Sequence, residues 1–319
     1  LKAGGEGPAS GVIGIDAGPN LQRPPSLVYW SGLRRLGILE FAGSTEGYHA
    51  ALDGFYARSR RPLRSDVDEL VERAPHHWHP SLPAAPEDLL SSTTLALRRE
   101  DADFLAEHIR HHVGDSLLGR CLTSQIGRVR TAKAIWELSG LENLDRVLRQ
   151  DIEDARRFAL LMEGAVLTYN LMLAEAAEAA GIVAADSLVP TFRGELAPWS
   201  EEMKGDRAAL RSWDRQAMWT RLRLLNPRLP LGAQHFAEQW ISAATLAPDS
   251  VMDDEGIRRI IALRERHLKH GLARLSNPRA LERWSGRSGS GRLSYRWLPV
   301  ARQILMDILD GQGRQPGEA

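Results

Sequence analysis

The residues best equipped for chemistry lie between 283 and 297, which read Arg-Trp-Ser-Gly-Arg-Ser-Gly-Ser-Gly-Arg-Leu-Ser-Tyr-Arg-Trp. Arg283, Arg287, Arg292 and Arg296 offer planar guanidinium forks that match phosphate oxygens. The glycines between them let a backbone approach a ligand closely. Trp284, Tyr295 and Trp297 can stack on bases or anchor the ends of the loop. The pattern is one of anion recognition and does not suggest a reaction. The charge extends upstream, where Ile257–Gly271 reads as an amphipathic helix carrying Arg258, Arg266 and Lys269 on its polar sides. The whole chain has zero net charge, yet residues 251–303 hold twelve Lys/Arg against five Asp/Glu, which leaves that region at +7 and the remainder at −7. Phosphate contact by such a surface would be salt-sensitive and blind to sequence. The competing outcome is internal pairing with the acidic remainder.

A second candidate is Glu163, inside the apolar run Phe158–Ala174. A carboxylate on a helix buried all round is costly unless paired. An internal salt bridge to an arginine is the structural expectation, and a pocket carboxylate the functional one. Tyr169 and Asn170 are placed to share its polar network, and Gly164 beside it suits close helix packing.

The histidines gather in two places: His76, His77 and His79 in a proline-punctuated loop, and His108, His111 and His112 on a helix. A metal site needs three or four convergent ligands with support behind them. The chain has no His-Glu-x-x-His motif, and its one Glu-x-x-His is Glu46 with His49. Solvated histidines are the expectation, with no metal and no cofactor. Cys121, the single cysteine, reads as a small buried apolar residue, and the absence of a second excludes an intramolecular disulfide. Val12–Gly18 has the outline of a phosphate loop, but Pro19 follows where a hydroxyl residue is needed. Walker, Rossmann and nucleophile-elbow motifs are missing.

The elements that must position these residues are helices. Ser26–Gly37, Thr45–Tyr56, Asp66–Arg73, Arg99–Val113, Glu201–Leu225, Ala233–Thr245, Asp253–Leu275 and Trp297–Leu309 all carry helical apolar spacing. Leu144–Ala180 is the longest, apolar nearly all round at its middle and stopped by Gly181. The expected fold is all-α, an irregular multi-helix bundle around this central helix of about 144–180, preceded by an irregular arm. Residues 1–75 read as an N-terminal helical lobe, 76–98 as a Pro/His-rich connector and 99–319 as the main domain. No signal peptide is visible, and Glu163 and Asn170 interrupt the longest apolar run. A cytoplasmic protein without membrane attachment is the expectation.

Several stretches together resemble a known family. They are Ser26–Leu33, Trp78–Pro83, Gly164–Glu175, Asn277 through Gly291, and Tyr295–Trp297 ahead of Ile304–Ile308. The family is a large uncharacterised bacterial one, known only as a domain of unknown function, and the resemblance spans nearly the whole chain. It implies an additional segment ahead of Leu1. It also implies an association with bacterial DNA-defence and mobile-element genes, and no catalytic residues. The resulting expectation is a non-catalytic accessory component that binds DNA or RNA phosphates through Arg258, Arg266, Lys269 and the four loop arginines. The alternatives are a protein-interaction scaffold within a larger complex, and an enzyme built on Glu163 or on a histidine-bound metal.

Overall fold

The computed structural model describes residues 24–59, 77–85, 96–123, 125–182, 187–289 and 291–313. The expected arm, the Val12–Gly18 loop, the Asp66–Arg73 helix and His76 lie outside them. Among the described residues there are twelve α-helices and no strand: α1 (Pro25–Arg35), α2 (Thr45–Ser59), α3 (Arg99–Val113), α4 (Leu117–Arg120), α5 (Arg146–Ala179), α6 (Leu188–Gly205), α7 (Arg207–Arg211), α8 (Arg215–Leu225), α9 (Leu231–Leu246), α10 (Glu255–Lys269), α11 (Pro278–Glu282) and α12 (Arg302–Gly311). The protein is all-α with a long central helix. The chain divides into two compact units, one formed by Leu1–Asn143 with Arg296–Ala319, the other by Leu144–Tyr295.

The second unit is built on α5. Asp145 caps it by accepting from the Leu148 N–H at 2.9 Å. It ends where Gly181 adopts φ +67°, with the Ile182 N–H closing back onto the Ala177 carbonyl. At 34 residues it is about 50 Å long. Its middle is buried on several sides, as Leu160, Leu161, Ala165, Leu167, Leu171 and Leu173 all show. By length and composition α5 is apolar enough to cross a bilayer, but two thirds of that stretch is buried within the protein, against α6, α9, α10 and α11.

Tryptophans set the packing distances. Trp199 on α6 and Trp240 on α9 are buried, and their indole N–H groups donate to the Leu160 and Leu161 carbonyls at 2.8 and 2.7 Å. Each ring thus buries a large apolar surface while its polar edge is satisfied. Gly164 lets Trp199 approach, since a Cβ there would sit 2.1 Å from the ring.

Three helix boundaries differ from the sequence reading. Glu201–Leu225 is not one helix. It divides among the end of α6, α7 and α8, because Asp214 caps a new start by accepting from the Ala217 N–H. α6 begins before Pro198 and runs through it; both Pro198 and Gly194, one turn back, are exposed, so a carbonyl freed by the proline faces water. α10 ends at Lys269 rather than Leu275, with His270 at φ +49°.

The first unit packs α12 on α3. Leu305, Ile308 and Leu309 of α12 are buried, as are Ala102, Ala106 and Ile109 of α3. Trp297, also buried, donates to the Ala132 carbonyl at 3.0 Å. Two isolated bridges, Leu39 with Trp78 and Gly127 with Ser139, tie its irregular segments.

Candidate functional site

The arginine-rich loop is folded onto α5 and α6. Asn170, fully buried on α5, holds it by both ends of its amide. Its Oδ1 accepts from the Ser288 N–H at 2.6 Å, and its Nδ2 donates to the Ser288 and Val166 carbonyls at 2.8 Å each. Gly289 (φ +80°) follows in a left-handed conformation, and a Cβ there would meet Val166 at 3.1 Å. Arg274 adds a hydrogen bond to Ser288 Oγ at 2.6 Å. Trp284 packs into the core beside Phe192.

Two of the four loop arginines, Arg287 and Arg292, find carboxylates within the same unit. Arg292 donates from Nε to Glu163 at 2.6 Å and forms a two-pronged pair with Glu202 at 3.0 and 2.6 Å. These carboxylates favour the guanidinium's charged form against the cost of burial, so its pKa lies above the ordinary arginine value. Arg287 pairs with Glu195 and lies over the Phe192 ring at 5.0 Å. On α10, Arg258 pairs with Glu175 and donates to the Met252 carbonyl at 2.7 Å. Lys269 reaches Glu265 at 3.1 Å and the Tyr169 hydroxyl at 2.7 Å. Arg266, Arg283 and Arg296 are exposed and form no ion pair among the described residues.

The three polar residues of α5 do not form one network. Glu163 and Asn170, two turns apart, both serve the loop. Tyr169 points elsewhere and donates to Glu265. Glu265 is the residue that sequence reasoning missed. Its side chain is 3% exposed and accepts from Tyr169, Lys269 and the backbone N–H groups of Arg274 and Leu275. Burial alone would raise its pKa, but these donors together hold it below the ordinary value. Tyr169 is pushed up, first by burial and then by the adjacent carboxylate. The one local signal for Glu265 was its i, i+4 spacing to Lys269.

Beside Tyr169 a cavity of about 380 Å³ opens between α5, α9 and α10. Its walls are Phe158, Met162, Val166 and Phe236, and Arg264 and Lys269 stand at its rim. Glu163 is not among its lining residues.

The first unit holds the histidines. His79, His108, His111 and His112 line a cavity of about 510 Å³ together with Glu40 and Glu107. His79 and His108 are 4.5 Å apart between ring centres, and His111 and His112 4.8 Å. His108 Nδ1 bonds to the Leu36 carbonyl at 2.8 Å. His112 is held below the ordinary histidine pKa by desolvation first and by the neighbouring imidazoles next. His77 lies instead among Phe41, Tyr48 and Phe55. Among the described residues no group of three or more His, Cys, Asp or Glu is arranged to hold a metal. Cys121 is buried and its thiol pKa is pushed up to about 12 by desolvation, which leaves it unreactive.

Asn170→Ala is expected to release the loop. The variant leaves the Ser288 N–H and carbonyl without partners, at a cost of about 2 kcal/mol. Trypsin cleavage at Arg287 and Arg292 should become markedly faster than in the wild type under native conditions. Unchanged cleavage would show that Asn170 does not hold the loop.

A family model described as a family of unknown function (DUF6361) matches residues 1–311. No curated protein and no solved structure matches the chain.

Proposed function

The chain belongs to this family of unknown function, and on that premise we propose that it is a non-catalytic interaction subunit of a larger assembly. The observation that carries this reading is the apolar corner between α8 and α9. Leu224 and Leu225 are each 78% exposed and Leu231 is 72% exposed. Three leucines this open within eight residues of chain support an interaction surface at this connection. The arginine loop supports the same reading from the other side. Arg287, Arg292 and Arg258 already have internal carboxylate partners, so binding phosphate through them competes with those pairs.

A second reading, a nucleic-acid-associated component of a DNA-handling or defence system, draws on the outer face of α10. Arg259 and Arg266, two turns apart and both exposed, form no ion pair among the described residues. Exposed guanidinium groups without carboxylate partners support phosphate contact as the chemistry of this second reading.

Affinity purification of the tagged chain from its native cells, with nuclease treatment, tests the two. The wild type is compared with Leu225→Asp/Leu231→Asp and with Arg259→Glu/Arg266→Glu. The interaction reading expects a stoichiometric, nuclease-resistant protein partner that is lost only from the leucine variant. Nucleic acid that elutes steeply with salt, and is lost only from the arginine variant, would transfer the assignment to the second reading. A partner kept by both variants would rule out both surfaces.

A further inference from the structure

We propose that the cavity between α5, α9 and α10 is a binding site for a small amphiphile, an apolar body of chain or ring carrying one carboxylate or similar anionic end. The apolar half of the argument is the cavity's walls. Phe158, Met162, Val166 and Phe236 are partly buried and line a space of about 380 Å³, at the lower end of the range for small-molecule sites. A water-filled cavity with such walls leaves apolar surface wet, and a hydrocarbon group entering it removes that surface from water.

The polar half is an imbalance of donors and acceptors at the rim. Among the described residues, both side-chain acceptors lining the cavity already accept hydrogen bonds. Glu265 Oε1 accepts from Tyr169, Lys269 and the Arg274 N–H, and Oε2 accepts from the Leu275 N–H. The Tyr169 oxygen, itself donating to Glu265, accepts from Lys269. The donors are in surplus. Arg264 makes no hydrogen bond among the described residues and lies over the Phe236 ring at 5.6 Å. Lys269 uses two of its three ammonium protons and lies over the Tyr169 ring at 5.0 Å. The charges of Arg264 and Lys269 exceed the single negative charge of Glu265. A ligand that completes this rim must supply acceptor oxygens and negative charge, and Arg264 offers the planar fork that a carboxylate matches. The site therefore selects an anion at the mouth and hydrocarbon within.

The site is distinct from the exposed α8–α9 leucines, and its test is independent of any partner. Decanoate is titrated into the purified full chain by calorimetry, with decanol as the uncharged probe. The variants are Ala233→Trp, whose indole fills the cavity from a half-buried position, and Arg264→Gln, which keeps much of the side chain's length and removes its charge. Decanoate is expected to bind once per chain. Arg264→Gln should weaken it about tenfold, the size of one charge-assisted hydrogen bond. Decanol should bind more weakly than decanoate by a similar factor. Ala233→Trp, with an unchanged circular dichroism spectrum, should abolish saturable binding; if that variant is unfolded, the Arg264→Gln and decanol comparisons carry the test. No saturable binding of decanoate to the wild type would overturn the proposal. So would undiminished binding to folded Ala233→Trp, or equal affinity for decanoate in Arg264→Gln.

Discussion

Gly164→Val is expected to destabilise the Leu144–Tyr295 unit by about 3–5 kcal/mol. The reason is local and severe. Even the first added carbon would lie 2.1 Å from Trp199 Cζ2, and 2.3 and 2.7 Å from two further ring atoms. The ring cannot swing away cheaply. It is buried, and its N–H is committed to the Leu160 carbonyl at 2.8 Å. Moving it would open a void in the core and break that bond. A glycine inside a helix ordinarily costs about 1 kcal/mol relative to alanine, so its presence here marks where packing outweighs propensity. The reverse holds for Gly194 of α6, which is exposed, and a Cβ added there would meet no atom within 4 Å. Gly194→Ala should be neutral or stabilising by up to about 1 kcal/mol. Urea denaturation of the two variants checks both signs. A Gly164→Val midpoint at or above the wild-type value would overturn the packing argument.

Glu265→Leu is expected to cost about 3–5 kcal/mol, the size seen when one partner of a buried charged network is removed. The substitution would leave the Arg274 and Leu275 N–H groups without their acceptor, along with Lys269 and the Tyr169 hydroxyl. It would also release the turn after α10, because those two N–H groups pin the chain where the helix ends. The pH dependence follows from the depressed pKa. Glu265 binds its proton less readily in the folded protein than at the ordinary value of 4.5. Its contribution is therefore complete above that pH and is lost as pH falls through the lower, folded value. The stability difference between wild type and Glu265→Leu should be constant near neutrality and shrink as pH drops below about 4.5. A difference that stays constant down to strong acid would show that the carboxylate is not the stabilising group.

The ion pairs change how the loop is understood. Its composition reads as an open phosphate-binding strap. Its geometry is that of a clasp, with Asn170 and Ser288 at the hinge and Glu163, Glu195 and Glu202 along the edge. Among the described residues of this basic region, Arg259, Arg264 and Arg266 of α10 form no ion pair, and neither do Arg283 and Arg296; there an anionic molecule would meet guanidinium groups without carboxylate partners.

Much of this architecture was legible in the sequence. The helical class, the extent of α5 and its stop at Gly181 come from periodicity and capping, which act over one or two turns. Gly164 as a close-packing position and an arginine partner for Glu163 were also readable, because a small residue and a lone carboxylate in an apolar helix each admit few outcomes. The division of Glu201–Leu225 and the early end of α10 were not. Both depend on single side chains, Asp214 and Glu265, capturing backbone N–H groups that periodicity does not register.

The chain alone determined that its basic side chains could be matched internally, since it holds 41 basic and 41 acidic side chains. Which carboxylate each arginine took was decided by folding. Arg292 reaches back 129 residues to Glu163 and 90 to Glu202, and Arg287 reaches back 92 to Glu195. Charges are interchangeable in sequence and distinguishable only by position. The packing of α5 on α6 gathers these three carboxylates under one loop and leaves Arg264 without one beside an apolar cavity. Helix periodicity is a local property and survives in the sequence. The choice of ion-pair partner, and with it the placement of free charge, exists only once distant segments meet.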